Sequence, residues 1–262
     1  MNHSEKQTTA QPKTVALFVS DVHLNPGLPK TTTAFLHFLK TEGKQTQQLY
    51  LLGDLFEYWV GDDDLNDPYN QSIAKALREL SVAGVQLFWI AGNRDFLVGE
   101  EFAAWTGMQR LLDPSIITIS GKKMVICHGD AQCTDDIGYM QFRKQVRDPQ
   151  WQANFLSLPL LQRKNIVQGM RESSKSEQSH KDMAIMDVNH DAIDALFLSS
   201  GCDYLIHGHT HRPALHVQQG KSRYVLPDWD CETTPPRGGW IAINAQGDIQ
   251  RVSLDSERAV HQ

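Results

Sequence analysis

The chain has 262 residues, 40% of them hydrophobic, and a formal net charge of −6. That length can bury a large core, and the acidic balance argues against general nucleic-acid binding, so no nucleic acid is expected as a partner. No apolar run approaches the roughly 20 residues a membrane span needs, so any membrane contact is expected to be peripheral.

Met1 to Lys13 is a polar tail without the apolar core of a signal peptide and is expected to be disordered. Residues 14–130 then alternate strand and helix patterns. The run VALFVSDVH ends in Asp21 and His23. Thr31 to Lys40 predicts a helix with Ala34, Phe35, Phe38 and Leu39 inward. QLYLLGD ends in Asp54, and Asp62, Asp63 and Asp64 read as a solvated acidic loop. Tyr69 to Ala83 predicts a second helix, with Ile73, Ala76, Leu77 and Leu80 at helical spacing. VQLFWIAGN ends in Asn93 and KMVICHGD in the segment holding His128. Such alternation argues an α/β core.

Residues 131–200 break the rhythm and predict a helical insertion between core segments 14–130 and 201–255. Thr134 or Asp135 is the expected N-cap before Ile137, Met140 and Phe142. An apolar-basic stretch runs from Trp151 to Arg171, and SSKSEQSHK (173–181) is the most loop-like patch. Asn189 is expected to cap a helix through Ile193, Leu196 and Phe197 that Gly201 stops. From Asp203 strands resume: DYLIHGHTH carries His209 and His211, followed by Tyr224–Leu226 and Gly239–Asn244. Cys127, Cys133, Cys202 and Cys231 lack Cys-x-x-Cys spacing, the pattern of reduced thiols in a cytosolic protein.

Five apolar runs thus end in metal-ligand residue types. Ligands in open α/β sheets bind beyond the carboxyl ends of the strands. Asp21, His23, Asp54, Asn93, His128, His209 and His211 are therefore expected to meet at one edge of one sheet. A dinuclear site wants one carboxylate shared by two cations about 3.5–4 Å apart. Asp54 is the natural bridge, because Gly53 lets the backbone approach closely. Oxygen and imidazole donors without thiolate suit Mn²⁺, Fe²⁺ or Zn²⁺ rather than a structural zinc. Two carboxylates facing two divalent cations leave a net positive site, suited to phosphate oxygens. His207 reads as a strand or supporting residue; His3, His37, His180, His190, His216 and His261 read as surface or structural.

Asp21-x-His23, Gly53-Asp54, Gly92-Asn93-Arg94-Asp95, His128-Gly129-Asp130 and Gly208-His209-Thr210-His211 resemble the signature of calcineurin-like metallophosphoesterases. That resemblance implies a two-sheet sandwich flanked by helices, with two metals at the strand ends. A longer set runs from about residue 15 to 215: Gly53 to Glu57, Trp59 to Asp64, Gly92 to Leu97, Cys133 to Asp136, Ile185 to Asn189 and His207 to Pro213. It resembles a narrower family, the UDP-2,3-diacylglucosamine diphosphatases of lipid A biosynthesis.

The narrower resemblance implies two Mn²⁺ per chain. Asp21, His23, Asp54 and His211 would hold one ion; Asp54, Asn93, His128 and His209 would hold the other. It also implies substrate contacts from Asn93, Arg94, Asp136, Ser174, Lys181 and His209, and from Gln178, which stands where relatives are expected to have Asn. Asp54 and Arg94 are the implied catalytic residues, Arg94 clamping the diphosphate with its planar fork. Water would attack the phosphorus next to uridine, giving UMP and 2,3-diacylglucosamine 1-phosphate. The implied partners are a lipid-linked nucleotide sugar and an anionic membrane surface, on the cytoplasmic face of a Gram-negative inner membrane. Between Gln141 and Arg171 stand Arg143, Lys144, Arg147, Arg163, Lys164 and Arg171 against one acid, Asp148. They are expected to form a basic face toward lipid, with Trp151, Phe155, Leu156 and Leu160 among the apolar residues around an acyl channel. A soluble nucleotide phosphodiesterase of the same superfamily is the alternative; a binding module without chemistry fits less well, since a scaffold has no use for seven donors.

Overall fold

Alternate residues of the central strands carry apolar side chains on both faces, the pattern of a sheet covered on both sides. The computed structural model describes residues 14–178 and 187–254, with residues 172–178 described by backbone alone. Its strands are β1 (Thr14–Val19), β2 (Gln48–Leu51), β3 (Gln86–Trp89), β4 (Met108–Arg110), β5 (Ser115–Ile119), β6 (Lys122–Ile126), β7 (Tyr204–His207), β8 (Ala214–Gln218), β9 (Lys221–Val225), β10 (Gly239–Asn244) and β11 (Ile249–Ser253). Its helices are α1 (Pro29–Phe38), α2 (Pro68–Val82), α3 (Glu100–Thr106), α4 (Ile137–Val146), α5 (Pro149–Leu156), α6 (Leu160–Gln178) and α7 (His190–Ser200).

The strands form two sheets, ordered β11-β10-β1-β2-β3-β4 and β5-β6-β7-β9-β8. β1 to β4 run parallel, as do β6, β7 and β9. The expectation of a single sheet is therefore corrected: Asp21, His23, Asp54 and Asn93 follow strands of the first sheet, while His128, His209 and His211 follow strands of the second. The two-sheet sandwich implied by the family signature is what the chain adopts. Local periodicity reports which face a residue takes, not which strands pair.

Side-chain alternation sorts the core into layers. Ala16, Phe18, Tyr50 and Leu52 of the first sheet meet Met124, Ile126 and Ile206 of the second. Phe18, Tyr50 and Phe88 sit in register on β1, β2 and β3 and stack at 4.7 and 4.6 Å between ring centroids. Leu17, Val19, Leu49 and Leu51 face the other way, against Phe35 and Phe38 of α1 and Ile73 and Leu77 of α2. Val125 and Leu205 pack outward on Ile193, Leu196 and Phe197 of α7. The Asp67 side chain accepts the Tyr69 and Asn70 amides at the start of α2. Asn189 accepts the Ala192 amide of α7, and Gly201 closes that helix in left-handed conformation, as expected. The cap of α4 is Asp136, one residue beyond the expected Thr134 or Asp135; it accepts the Tyr139 amide.

Three further expectations are corrected where α4 to α6 meet the core. Residues 173–178 are helical, continuing α6; between Met170 and Asp187 there is no Gly or Pro to stop a helix. The Asp62–Asp64 run is not a solvated loop. Asp62 accepts the Trp59 indole N–H and the Gly99 and Phe102 amides, while Asp64 is buried and meets Lys164 Nζ at 2.5 Å. The basic residues of the insertion do not form an open face toward lipid, because five of them turn inward. Arg143 meets Asp130 and Asp113. Arg147 donates to the Gly92 carbonyl, Arg163 binds Asp63 and the Val60 carbonyl, Lys164 binds Asp64, and Arg171 binds Glu57. Lys144 stays exposed. Among the described residues no helix is long and apolar enough to cross a membrane.

Candidate metal centre

Each donor follows closely on a strand, where the chain must turn and still present a side chain inward. Five of them do so with positive φ: Asp21 (53°), His23 (52°), Asp54 (54°), His209 (68°) and His211 (54°). Non-glycine residues adopt this left-handed region at a cost, and persist there when surrounding contacts fix them. The alternation Asp21-x-His23 and His209-x-His211 thus reaches one place through repeated backbone reversals. Close approach is also required between Gly53 and Gly92. A Cβ on Gly53 would lie 2.6 Å from His128 Nδ1, and one on Gly92 would strike the Asp54 carboxylate.

Two groups result: Asp21, His23 and His211, and Asp54, His128 and His209, the ligand atoms in each lying within 4.8 Å of one another. In the first, His23 Nε2 faces His211 Nε2 at 3.2 Å, and His211 Nε2 lies 3.5 Å from Asp21 Oδ1. In the second, Asn93 Oδ1 sits 2.9 Å from both His128 Nε2 and His209 Nδ1. Asp54 stands between them: Oδ2 is 4.0 Å from His23 Nε2, and Oδ1 is 3.6 Å from His128 Nε2. All seven expected donors are therefore brought together. Asp21 Oδ1 is buried without a hydrogen bond among the described residues. A buried carboxylate oxygen beside two imidazole nitrogens is a donor set that fits a divalent cation.

Residues around the donors fix their directions. The His128 Nδ1–H donates to the Leu52 carbonyl at 2.8 Å, turning Nε2 toward Asn93. Asp21 Oδ2 accepts from Ser20 Oγ and the His209 amide, and the Arg94 amide donates to Asp54 Oδ1 at 2.9 Å. Buried Asp95 accepts the amides of Gly92, Asp54, Leu55 and Phe56, which ties the β2 and β3 loops together. His211 Nδ1 lies 3.9 Å from Asp228, itself held by Arg237 at 2.9 Å. Glu57 Oε2 lies 3.1 Å from His23 Nδ1. No role was expected for Asp95, Glu57 or Asp228. Asp95 and Glu57 stand inside the motif segments, which was the available signal; Asp228 lies in a stretch with no motif.

The electrostatics follow from burial and crowding. Burial alone would lower His128, but the carboxylates of Asp54, Asp21 and Asp130 push it up to about 9. Burial, with His128 beside it, pushes His209 down to about 4. Burial would raise Asp21, yet the neighbouring imidazoles of His211, His128 and His23 hold it well below the usual carboxylate range. Burial and the Asp54 charge push Asp95 up to about 7.

The remaining expected residues divide. Arg94 borders the centre, and its guanidinium makes no hydrogen bond or ion pair among the described residues. Asp136 caps α4, whose Tyr139 ring stands 6.0 Å from that of His209. Ser174 and Gln178 lie on α6 with backbone alone described, and Lys181 lies outside the described residues. His207 is buried against Arg223 and takes no place in either group. His37, His190 and His216 are exposed, and His3, His180 and His261 lie outside the described residues. All four cysteines are free thiols.

The profile of the calcineurin-like phosphoesterase family matches residues 15–213. A UDP-2,3-diacylglucosamine hydrolase of Ralstonia nicotianae is 43% identical over 86% of this chain and 88% of its own. One of Escherichia coli is 46% identical over 94% of this chain and 98% of its own. Among solved structures, an archaeal phosphodiesterase aligns over 91% of this chain and 99% of its own, with 12% identity and a TM-score of 0.46.

Proposed function

The chain belongs to the calcineurin-like phosphoesterase family, and from that premise we propose that it is a UDP-2,3-diacylglucosamine hydrolase using two divalent metal ions, Mn²⁺ above all. Relatives with that name match most of its length. The observation that carries the reading is the Asp54 carboxylate, which turns one oxygen to His23 and the other to His128. Asp21, His23 and His211 would hold one ion with Asp54; Asn93, His128 and His209 would hold the other. Bound ions of this kind activate water and neutralise charge on phosphoryl oxygens.

The chain's own residues supply position and charge. Arg94 takes two diphosphate oxygens through its planar fork, while its amide fixes Asp54. Asp136, Ser174, Gln178 and Lys181 contact the nucleotide sugar from the 131–200 insertion, and Asn93 and His209 contact it from the core. Hydrolysis at the phosphorus next to uridine consumes one water and yields UMP and 2,3-diacylglucosamine 1-phosphate. Ile137, Phe142, Leu156, Leu161 and Met170 expose apolar side chains on α4 to α6, which supports approach to a lipid substrate at the cytoplasmic face of an inner membrane. Incubation with UDP-2,3-diacylglucosamine and Mn²⁺ is expected to release UMP. Hydrolysis of a small chromogenic phosphodiester without any UMP from the lipid substrate would favour a soluble nucleotide phosphodiesterase instead.

A further inference from the structure

The loop after β2 carries Asp54 and, three residues on, Glu57, whose carboxylate touches two parts of the molecule. Oε2 lies 3.1 Å from His23 Nδ1, the ring nitrogen turned away from His211. That nitrogen makes no aligned hydrogen bond among the described residues, so the Glu57 contact is what faces it. Oε1 pairs with Arg171, which comes from the middle of α6 and also lies over the Tyr58 ring at 5.5 Å. Glu57 is anchored from behind, its amide donating to the Leu24 carbonyl at 3.1 Å. A carboxylate, a ligating imidazole and a cation from the insertion therefore stand in one chain of contacts.

We infer that Glu57 is a positioning residue for the first metal group, and that Arg171 couples that group to the seating of α6. The inference rests on the dinuclear reading proposed above. A carboxylate behind a ligating imidazole fixes its orientation and strengthens it as a donor. The other imidazoles are held from within the core, His128 by the Leu52 carbonyl and His211 beside Asp228. His23 is held through its ring nitrogen by a carboxylate that itself leans on the insertion. The helices that border the substrate would in this way help to complete the site at which it reacts.

The test titrates the metal-free full-length protein with Mn²⁺ and follows the free ion by electron paramagnetic resonance, with circular dichroism to confirm folding. Wild type is expected to bind two ions. Glu57→Ala is expected to weaken one of them by about 10- to 100-fold and leave the other unchanged. Glu57→Gln keeps the volume, so it serves if the alanine variant does not fold, and is expected to lose part of that affinity. Arg171→Ala, which removes no donor, is expected to weaken the same ion by a smaller factor. Lys164→Ala removes another contact of α6 with the core, to Asp64, and is expected to change neither ion. Folded Glu57 variants with both affinities at the wild-type level would overturn the inference. Equal losses in Lys164→Ala and Arg171→Ala would overturn its second half. Fewer than two ions on wild type would defeat the dinuclear reading itself, a result distinct from both.

Discussion

At the strand ends the donors are held by backbone: five are bent into left-handed conformation, Asp95 gathers four amides, and Asp21, Asp54 and His128 are buried. The segment α4 to α6 is held to the core in a different way, by apolar packing of Trp151, Phe155, Leu158, Leu160, Ile166 and Val167 and by long charged side chains. Arg143, Arg147, Arg163, Lys164 and Arg171 reach back to carboxylates and carbonyls of the core, while Ile137 and Leu161 are 64% and 71% exposed. The first region fixes donor positions through a backbone with little freedom to shift. The second adds to its apolar packing charged contacts that can be removed one at a time, and it leaves apolar side chains exposed. Substitutions at the strand ends should therefore act on metals and rate, and those in the insertion, Arg171 apart, on stability and lipid selectivity.

The largest effect is expected at Asp54, which stands between the two donor groups. Asp54→Asn keeps the shape and removes the charge, so one ion should bind far more weakly and turnover should fall by more than about 100-fold. Metal analysis beside UMP release checks this; a folded variant of near wild-type activity would break the assignment. Arg94→Ala is expected to lower kcat/KM by about 10²–10³-fold with metal content unchanged, since only its amide touches the donors. Parallel loss of metal and rate would move Arg94 into the supporting frame.

The pH dependence of metal loading should belong to the strand ends alone. His128 stands at about 9 in the metal-free protein, above its ordinary 6.5, so at neutral pH a proton must leave before it can ligate. Metal affinity is expected to rise with pH, by at most about tenfold per unit from this group, and to level off above about 9. The sign for metal-free stability is opposite: the contribution of His128 is complete below 6.5 and is lost as pH rises through about 9. Calorimetric metal titration across pH 6–10 and thermal melts of the metal-free protein check the two signs.

In the insertion, Arg163→Ala leaves the Val60 carbonyl without its buried donor. It is expected to cost about 1–3 kcal/mol of stability with Mn²⁺ affinity unaltered, as read by denaturant unfolding and metal titration. The smallest effect belongs to exposed positions. Phe142→Ser and Leu161→Ser are expected to change stability by less than about 0.5 kcal/mol. KM for the lipid substrate should rise a few-fold, with hydrolysis of a small phosphodiester unchanged. Proportional loss of both activities would make the apolar surface a structural support.

What was legible in the sequence follows the same division. The donor residues that converge, and α1, α2 and α7, were readable because each depends on local spacing: a run that ends, a period of 3.6, an Asn before and a Gly after a helix. The pairing of strands into two sheets was not readable from those runs, since it depends on contacts far apart in sequence. The acidic run Asp62–Asp64 read alone as a solvated loop and the basic Arg163–Lys164 as part of a face toward lipid, yet about 100 residues apart they are each other's partners. Positive φ at Asp21, His23, Asp54, His209 and His211 left no mark either, because glycine is the usual sign of that conformation and none of these is glycine.

The account stands on two ions sharing the Asp54 carboxylate, and electron paramagnetic resonance of the protein loaded with Mn²⁺ tests that most directly. Two Mn²⁺ per chain with an exchange-coupled signal, collapsing to an isolated-ion signal in Asp54→Asn, is the expected result. One Mn²⁺ per chain, or two ions without coupling in the wild-type protein, would contradict it.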